Sequence, residues 1–514
     1  MMKRLAFFLG FALLALVSCD NNSIESVQLD KVVLQLRVGE YYQLHATVIP
    51  EDAFVSSLQW NSSQPEVASV VAGIVSAHKE GTANITVETG GYSAACLVVV
   101  AGDTLGNITA GEDVTGAVEY LPKSGKRGVS FNFTIEDDIH LLAPFISWSY
   151  NWGPDVTDVN NTLFNQYGLD FYPMAWNGNF DADRIRAYKA LNPQCEYILA
   201  FNEPNLTDQC NYTPQQAAEH WPELKALADE LDMKIVAPAM NYGTLANYGD
   251  PIVWLDEFFT LVPLDDVAAI AIHCYMGSAG ALKSYVERFY KYDKPIWMTE
   301  FCAWESHISN VQAQMNFMNE AIAYMEADPK VEKYAWFIPR ANGALDSYPY
   351  MQLLTKTQPF QLSELGQVFA GLSSLDKSVW LSTQNYILPN TYSAVNSQES
   401  VGQEGLLSIP HLRPTTDSSG GLQLADFSAN QWVEYQIDAH KQLSVLRVRY
   451  ASYANAELEI SLDGEKIADG AFERTGDASV WNTAEIPVDV PQGKHTLRVT
   501  VKSASLYINW FKFE

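Results

Sequence analysis

Residues Tyr197–Asn205 read YILAFNEPN. Five apolar or aromatic residues run directly into Asn-Glu-Pro-Asn. A run this short, stopped by a proline, predicts a buried strand and not a helix. The strand ends on a carboxylate, Glu203, and α/β barrels place their functional groups at the carboxyl ends of their strands. Pro295–Phe301 (PIWMTEF) repeats the pattern and ends on Glu300. Working outward, short apolar runs alternate with helical ones from Lys126 to about Leu372. The predicted strands are Arg127–Phe133, Phe145–Trp152, Leu169–Trp176, Tyr197–Asn202, Met233–Met240, Val267–Tyr275, Pro295–Phe301 and Lys333–Pro339. Eight strands over residues 126–372 fit one (β/α)8 barrel of the TIM type. Thr213–Leu231 is a predicted helix, capped by Thr213, with Pro214 in its first turn and Trp221, Leu224, Leu227, Ala228 and Leu231 as its apolar stripe. Further helices are expected at Ala281–Tyr290, Val311–Met325 and Ser363–Leu372, while the sequence leaves little room for helices after strands one and two.

The chain has 514 residues, enough for about three domains. Sixty-one acidic side chains face 32 basic ones, a net charge of −29, which argues against a nucleic-acid partner and against adsorption to anionic lipid. Residues 1–19 read as a leader: Lys3 and Arg4 precede an apolar Leu5–Val17, too short to span a bilayer. Leu-Val-Ser-Cys (16–19) resembles the lipobox of bacterial lipoproteins, which implies a lipid on Cys19 and a protein tethered to the bacterial cell envelope, at the outer membrane or cell surface. The other five cysteines form no close metal-type spacing, and no cofactor or metal is expected. A monomer is expected.

Residues 26–101 alternate and turn like an all-β module. Trp60, Pro65, Val67, Ala68, Gly73, Val75, Ala77, Gly81, Thr82 and Ile85 resemble the pattern of bacterial immunoglobulin-like group 2 domains, implying a β-sandwich spacer with Trp60 in its core. Residues 102–125 read as a linker, rich in Gly, Asp and Thr. Residues 385–514 turn all-β again, a jelly-roll-like sandwich in which Gly464, Gly470, Gly476 and Gly493 mark turns. QWVEYQI (431–437), SLDG (461–464), residues 475–499 and YINWFKF (507–513) resemble carbohydrate-binding module family 6, implying that Trp481 stacks on sugar. The module departs from that family at Tyr507 and Asn509, and the family's early calcium-site Glu is not evident around 393–396. The fold class is therefore multidomain: a TIM barrel between an immunoglobulin-like β-sandwich and a jelly-roll β-sandwich.

Strands four and seven are not neighbours, so Glu203 and Glu300 can face each other across the barrel mouth. Glycoside hydrolysis needs such a pair: one carboxyl to protonate the leaving oxygen, another to attack the anomeric carbon or activate water. Asn202 is placed to meet a sugar 2-hydroxyl, and His273 and Tyr275 end strand six beside Glu300, where a tyrosine hydroxyl can orient a carboxylate. AFNEPN (200–205), CNYTPQQAAEHWPELKAL (210–227), IHCY (272–275), WMTEFCAW (297–304) and SWSYNWG (147–153) together resemble glycoside hydrolase family 128. The resemblance implies a retaining endo-β-1,3-glucanase with Glu203 as acid/base and Glu300 as nucleophile. Trp148, Trp152, Trp176, Trp304 and Trp336 lie near strand ends as candidate sugar platforms, with Trp304 the first choice. Two rivals stand beside this reading: a related barrel cutting another β-glycan, and a non-catalytic surface glycan-binding lipoprotein.

Overall fold

The computed structural model describes residues 24–101 (apart from 25, 30, 32, 38–40, 51–57 and 72), 123–341, 348–357, 360–384, 386–395, 398–399, 407–417 and 421–514. The leader with Cys19, and most of the expected linker, lie outside the described residues. The chain divides into two compact units, Met1–Gly102 and Asp103–Glu514.

The first unit is β-rich. Val33–Arg37, Tyr92–Ala101, Gly81–Thr89 and Gln59–Ser62 form a four-stranded sheet, and Tyr41–Gln43, Ile74–Ala77 and Ala68–Val71 a three-stranded one. Along Gly81–Thr89 the buried residues Ala83, Ile85 and Val87 alternate with more exposed ones, the period-2 pattern of a half-buried strand. Trp60 is half-buried against this core.

The second unit is built on eight parallel strands, Arg127–Ser130, Trp148–Tyr150, Asp170–Phe171, Tyr197–Leu199, Lys234–Val236, Val267–Cys274, Ile296–Phe301 and Val331–Phe337. Numbered one to eight in chain order, they lie side by side as 3-2-1-8-7-6-5-4 in one curled sheet. Strands three and four, the two ends of that order, are tied by a parallel bridge from Met174 to Leu199. Leu199 N–H donates to Pro173 O and Ala175 N–H to Leu199 O, both at 2.9 Å, so the sheet curls round into a TIM-like barrel. The paired segments are shorter than the apolar runs. Met174, Asn202, Ala239 and Met240 take part as single bridges beyond the ladders.

The helix Pro214–Glu230 shows its sequence logic plainly. Thr213 accepts from Gln216 N–H at 3.3 Å while the Gln216 side chain accepts from Thr213 N–H at 2.9 Å, a reciprocal cap. Trp221, Leu224, Leu227 and Ala228 are buried, and Leu231 is the half-buried C-cap. The spaces after strands one and two hold the short helices Glu136–Leu142 and Asp158–Tyr167. Helices Ala182–Leu191 and Pro251–Leu261 follow strands three and five.

Beyond the barrel the described residues include two large sheets. One runs His411–Pro414, Leu422–Ser428, Ser505–Phe513, Leu443–Ala451, Asn482–Val490; the other runs Leu381–Ser382, Trp432–Ala439, Gly493–Ser503, Ala456–Leu462, Glu465–Phe472. Gly464 and Gly476 adopt positive φ in turns and Gly493 does so where a strand begins, but Gly470 lies inside a strand. A Cβ at Gly470 would come within 2.5 Å of Ile486 Cδ1, so this glycine serves close packing and not a turn.

This β-rich domain is joined to the barrel by buried polar contacts. On helix Val311–Ala327 the Asn319 side chain accepts from Leu412 N–H at 2.7 Å and donates to Leu412 O at 3.1 Å. His411 Nε2 lies 3.0 Å from Glu320 Oε1, and Asn390 donates to Gly371 O at 3.0 Å. Replacing Asn319 with Leu will strand both backbone groups of Leu412 in an apolar junction. The expected loss is about 2–4 kcal/mol, read as a lower urea midpoint for the Asp103–Glu514 unit. An unchanged midpoint would mean that the junction contributes nothing.

Candidate active site

Strand four delivers its carboxylate on a strained backbone. Glu203 has φ 43°, the left-handed region that bulky L-residues avoid. It is held there by bonds on either side: Glu203 N–H donates to Ala239 O at 3.0 Å, and its own carbonyl accepts from Leu206 N–H at 3.0 Å. Strand seven delivers Glu300 from a segment in which every residue is buried. The pairing of strands six and seven shifts register between Ile272 and His273, which brings His273 opposite Glu300.

A carboxylate buried in such a run needs hydrogen-bond donors. Glu300 Oε1 accepts from Tyr150 OH at 2.8 Å and from Trp152 Nε1 at 2.7 Å, and Oε2 accepts from Tyr275 OH. Glu203 Oε1 accepts from Asn241 Nδ2 at 3.1 Å and lies 2.9 Å from His273 Nδ1. The same Nδ1 is 3.4 Å from Glu300 Oε2. One oxygen of each carboxylate and a His273 ring nitrogen lie within 4.8 Å of one another. By distance these three side chains could bracket a cation. The donors facing both Glu300 oxygens fit a hydrogen-bonded anion better.

The electrostatics follow from that crowding. Burial works against an imidazolium at His273, but the charge of Glu300 and the bond and charge of Glu203 outweigh it, so its pKa is raised. Burial also works against the Glu203 carboxylate, yet His273 and Asn241 more than offset it and its pKa is lowered. Burial first, then the Glu300 charge, pushes Tyr150 and Tyr275 far above 10, so both remain hydroxyl donors.

Those two shifts give a pH signature. A raised imidazole stabilises the fold fully below its ordinary 6.5, and the effect fades as pH climbs through the higher native value. A depressed carboxylate stabilises above its ordinary 4.5 and fades as pH falls through the lower native value. The pair's contribution is therefore whole between those two values and lost on either side. His273→Asn should flatten the profile of Tm against pH, most visibly above 6.5. Parallel profiles for the variant and the parent would refute the pairing.

The structure brings Glu203, Glu300, His273 and Tyr275 into one cluster, with Asn202 beside it. Asn202 is buried, donates to Gln209 Oε1 at 3.2 Å, and keeps its Oδ1 without a partner. His273 is fully buried between the two acids, so it positions them and offers no surface to a sugar. Trp148 and Trp336 are corrected to core rings. Each is fully buried, with its N–H engaged by Lys126 O and Met351 O respectively. Trp152, Trp176 and Trp304 are half-buried and keep an exposed part. Trp304 meets Tyr275 edge-on at 5.7 Å and Phe337 at 6.2 Å. Three participants escape the sequence reading: Tyr150, Asn241 and Phe337, whose ring contacts Trp152, Tyr275 and Trp304. Alternation along SWSYNWG held the signal for Tyr150. Residues 148, 150 and 152 share one face, Trp148 stacks beside Tyr150 at 6.2 Å, and Tyr150 reaches Glu300. In the C-terminal domain, half-buried Trp481 donates to Thr416 Oγ1 at 3.0 Å. Asn509 is buried and donates to Asp417, which also pairs with Arg449.

Residues 128–369 match the family model of the glycosyl hydrolase catalytic core, residues 408–514 that of carbohydrate binding module family 6, and residues 23–96 that of the bacterial Ig-like domain, group 2. The chain is 35% identical to a family 128 (subgroup II) endo-β-1,3-glucanase from Pseudomonas viridiflava, over 49% of this chain and 99% of that one, with a TM-score of 0.45. It is 32% identical to a subgroup II endo-β-1,3-glucanase from Sorangium cellulosum, over 48% and 97%, with a TM-score of 0.43. Alkali-sensitive linkage protein 1 of Schizosaccharomyces pombe is 23% identical over 257 residues, 48% of this chain and 44% of that protein. The chain spans less than half the length of the curated relatives it matches.

Proposed function

Since this chain belongs to glycoside hydrolase family 128, we propose that its barrel is an endo-acting β-1,3-glucanase that cleaves with retention of anomeric configuration. The observation that carries this is the approach of Glu203 and Glu300, with an oxygen of each within 4.8 Å of the other. Retaining glycosidases hold their carboxyl groups roughly 5–5.5 Å apart, whereas inverting ones leave roughly 6.5–9.5 Å for a water. In this reading Glu300 is the nucleophile. Three neutral donors face it without adding a positive charge that would oppose an oxocarbenium-like transition state. Glu203 protonates the leaving oxygen, then takes a proton from the water that releases the product. Trp304, Trp152, Trp176 and Phe337 give glucose rings apolar faces, and Asn202 Oδ1 is a buried acceptor for a sugar hydroxyl.

The flanking domains fit a surface enzyme. We read 26–101 as an immunoglobulin-like sandwich spacer and 385–514 as a jelly-roll sandwich whose half-buried Trp481 contacts glycan. Cys19 would carry the lipid that ties the protein to the cell envelope. Reducing-sugar release should be seen with laminarin or curdlan and exceed that from lichenan or xylan. No release from either β-1,3-glucan would overturn the linkage. Proton NMR of fresh digests should show the β-anomer first, and an initial α-anomer would contradict retention.

A further inference from the structure

The two oxygens of Glu300 are bound unequally, and the difference bears on the reaction proposed above, on which this inference rests. Oε1 accepts two donors, Tyr150 OH at 2.8 Å and Trp152 Nε1 at 2.7 Å. Oε2 accepts from Tyr275 OH, and its other near neighbour is His273 Nδ1 at 3.4 Å. The Oε1 donors belong to one structural unit. Tyr150 ends strand two, and Trp152 follows two residues later with φ 61°, a left-handed conformation unusual for a bulky aromatic residue. The turn around Trp152 is pinned from several sides. Asn151 donates to Asp155 O at 3.0 Å and accepts from Gly153 N–H at 3.0 Å, while Gly153 O accepts from Met174 N–H at 2.8 Å. Backbone strain held by this many bonds, with the side chain aimed at a buried carboxylate, marks a positioned donor.

We infer that Tyr150 and Trp152 form a two-donor pocket that assigns different work to the two oxygens, with Oε2 attacking and Oε1 becoming the ester carbonyl. In the first step the bond from C1 to Oε2 forms while the bond from C1 to the leaving oxygen breaks, and Glu203 gives that oxygen its proton. In the second step water oxygen bonds to C1, Glu203 takes the water's proton, and the electron pair of the C1–Oε2 bond returns to the carboxylate. Negative charge then reappears across Glu300, and the pocket is already aimed at the Oε1 share of it. Donors placed in advance where charge develops stabilise departure of the carboxylate. The same donors make the free carboxylate a weaker nucleophile, so their removal penalises the second step more than the first.

The test uses the full chain, the variants Trp152→Phe and Tyr150→Phe, and a dinitrophenyl β-laminaribioside, whose good leaving group makes the first step fast. Each variant should release close to one equivalent of dinitrophenolate in a burst. A steady state on the order of 10- to 100-fold slower than the parent's should follow. Added azide should speed that steady state and yield the β-glycosyl azide, and the covalent glycosyl-enzyme should build up in mass spectra. Tyr150→Phe removes only a hydroxyl, so it keeps the test decisive should Trp152→Phe fold poorly. Parental steady-state rates in both variants, or slowed rates with neither burst nor azide acceleration, would overturn this division of labour alone. A parent protein that cuts no β-1,3-linked substrate would overturn the functional reading and this inference with it.

Discussion

Glu300→Ala is expected to lower kcat on laminarin by about 10⁵-fold or more, the size of effect seen when a covalent nucleophile is deleted. None of the groups that touch Glu300 can take its place, and Glu203, the other acid nearby, is already committed to proton transfer. The groups in contact with it are Tyr150, Trp152, Tyr275 and His273, and the two tyrosines are held protonated by burial and by the acid itself. Laminari-oligosaccharide binding should survive, because the half-buried rings of Trp152, Trp176, Trp304 and Phe337 are untouched. Calorimetry on the inactive variant therefore separates an enzyme from a glycan-binding protein that never turned over. Azide supplies a second discrimination. Entering the space left by the carboxylate, it attacks from the same face and should give an α-glycosyl azide from an activated β-substrate. Undiminished hydrolysis in this variant would remove Glu300 from the mechanism.

The two acids were legible because each ends an apolar run, and such a run is hard to read as anything but a buried strand. Their partners were legible only in part. Tyr275 lies two residues past His273 at the end of a strand, so period 2 places it with the two acids. Asn241 follows Met240 with no motif around it. Its meeting with Glu203 depends on the loop after strand five folding over the loop after strand four, where Asn205 donates to Asn241 O at 2.7 Å. Two of the five tryptophans, Trp148 and Trp336, are core rings for reasons of layer and face. Trp148 shares the inward face of strand two with Tyr150 but lies one layer lower, where it packs on Tyr172 and Trp297 in the barrel interior. Trp336 and Phe337 are neighbours of opposite parity, and parity turns Trp336 toward Phe369 of the last barrel helix. Nearness to a strand end does not specify layer or face. The strands Leu422–Ser428 and Glu465–Phe472 are hard to read from sequence for another reason: Asp426 and Gly470 interrupt patterns that only sheet neighbours complete.

Glu203→Gln should behave differently from the nucleophile variant, and the contrast tests the whole assignment. Glutamine keeps the size of the side chain and a carbonyl acceptor for Asn241, but it delivers no proton. Loss of a general acid is worth roughly 10²–10⁴ in rate. That loss should appear in full in kcat/KM on laminarin, whose leaving group is a sugar hydroxyl, and shrink toward nothing in kcat/KM on a dinitrophenyl glycoside, whose leaving group departs unprotonated. The second step also loses its base, so the covalent intermediate should accumulate, and azide should resolve it to the β-glycosyl azide, opposite in configuration to the product from Glu300→Ala. The local geometry says where the proton waits. Both donors to Glu203 meet Oε1, so Oε2 is the oxygen turned toward the leaving group. His273 Nδ1 lies 2.9 Å from the other oxygen, Oε1, and burial disfavours its charge while Glu300 and Glu203 raise its pKa. An equal loss of kcat/KM on both substrates, whatever the leaving group, would show that Glu203 acts in binding or positioning and not as the acid.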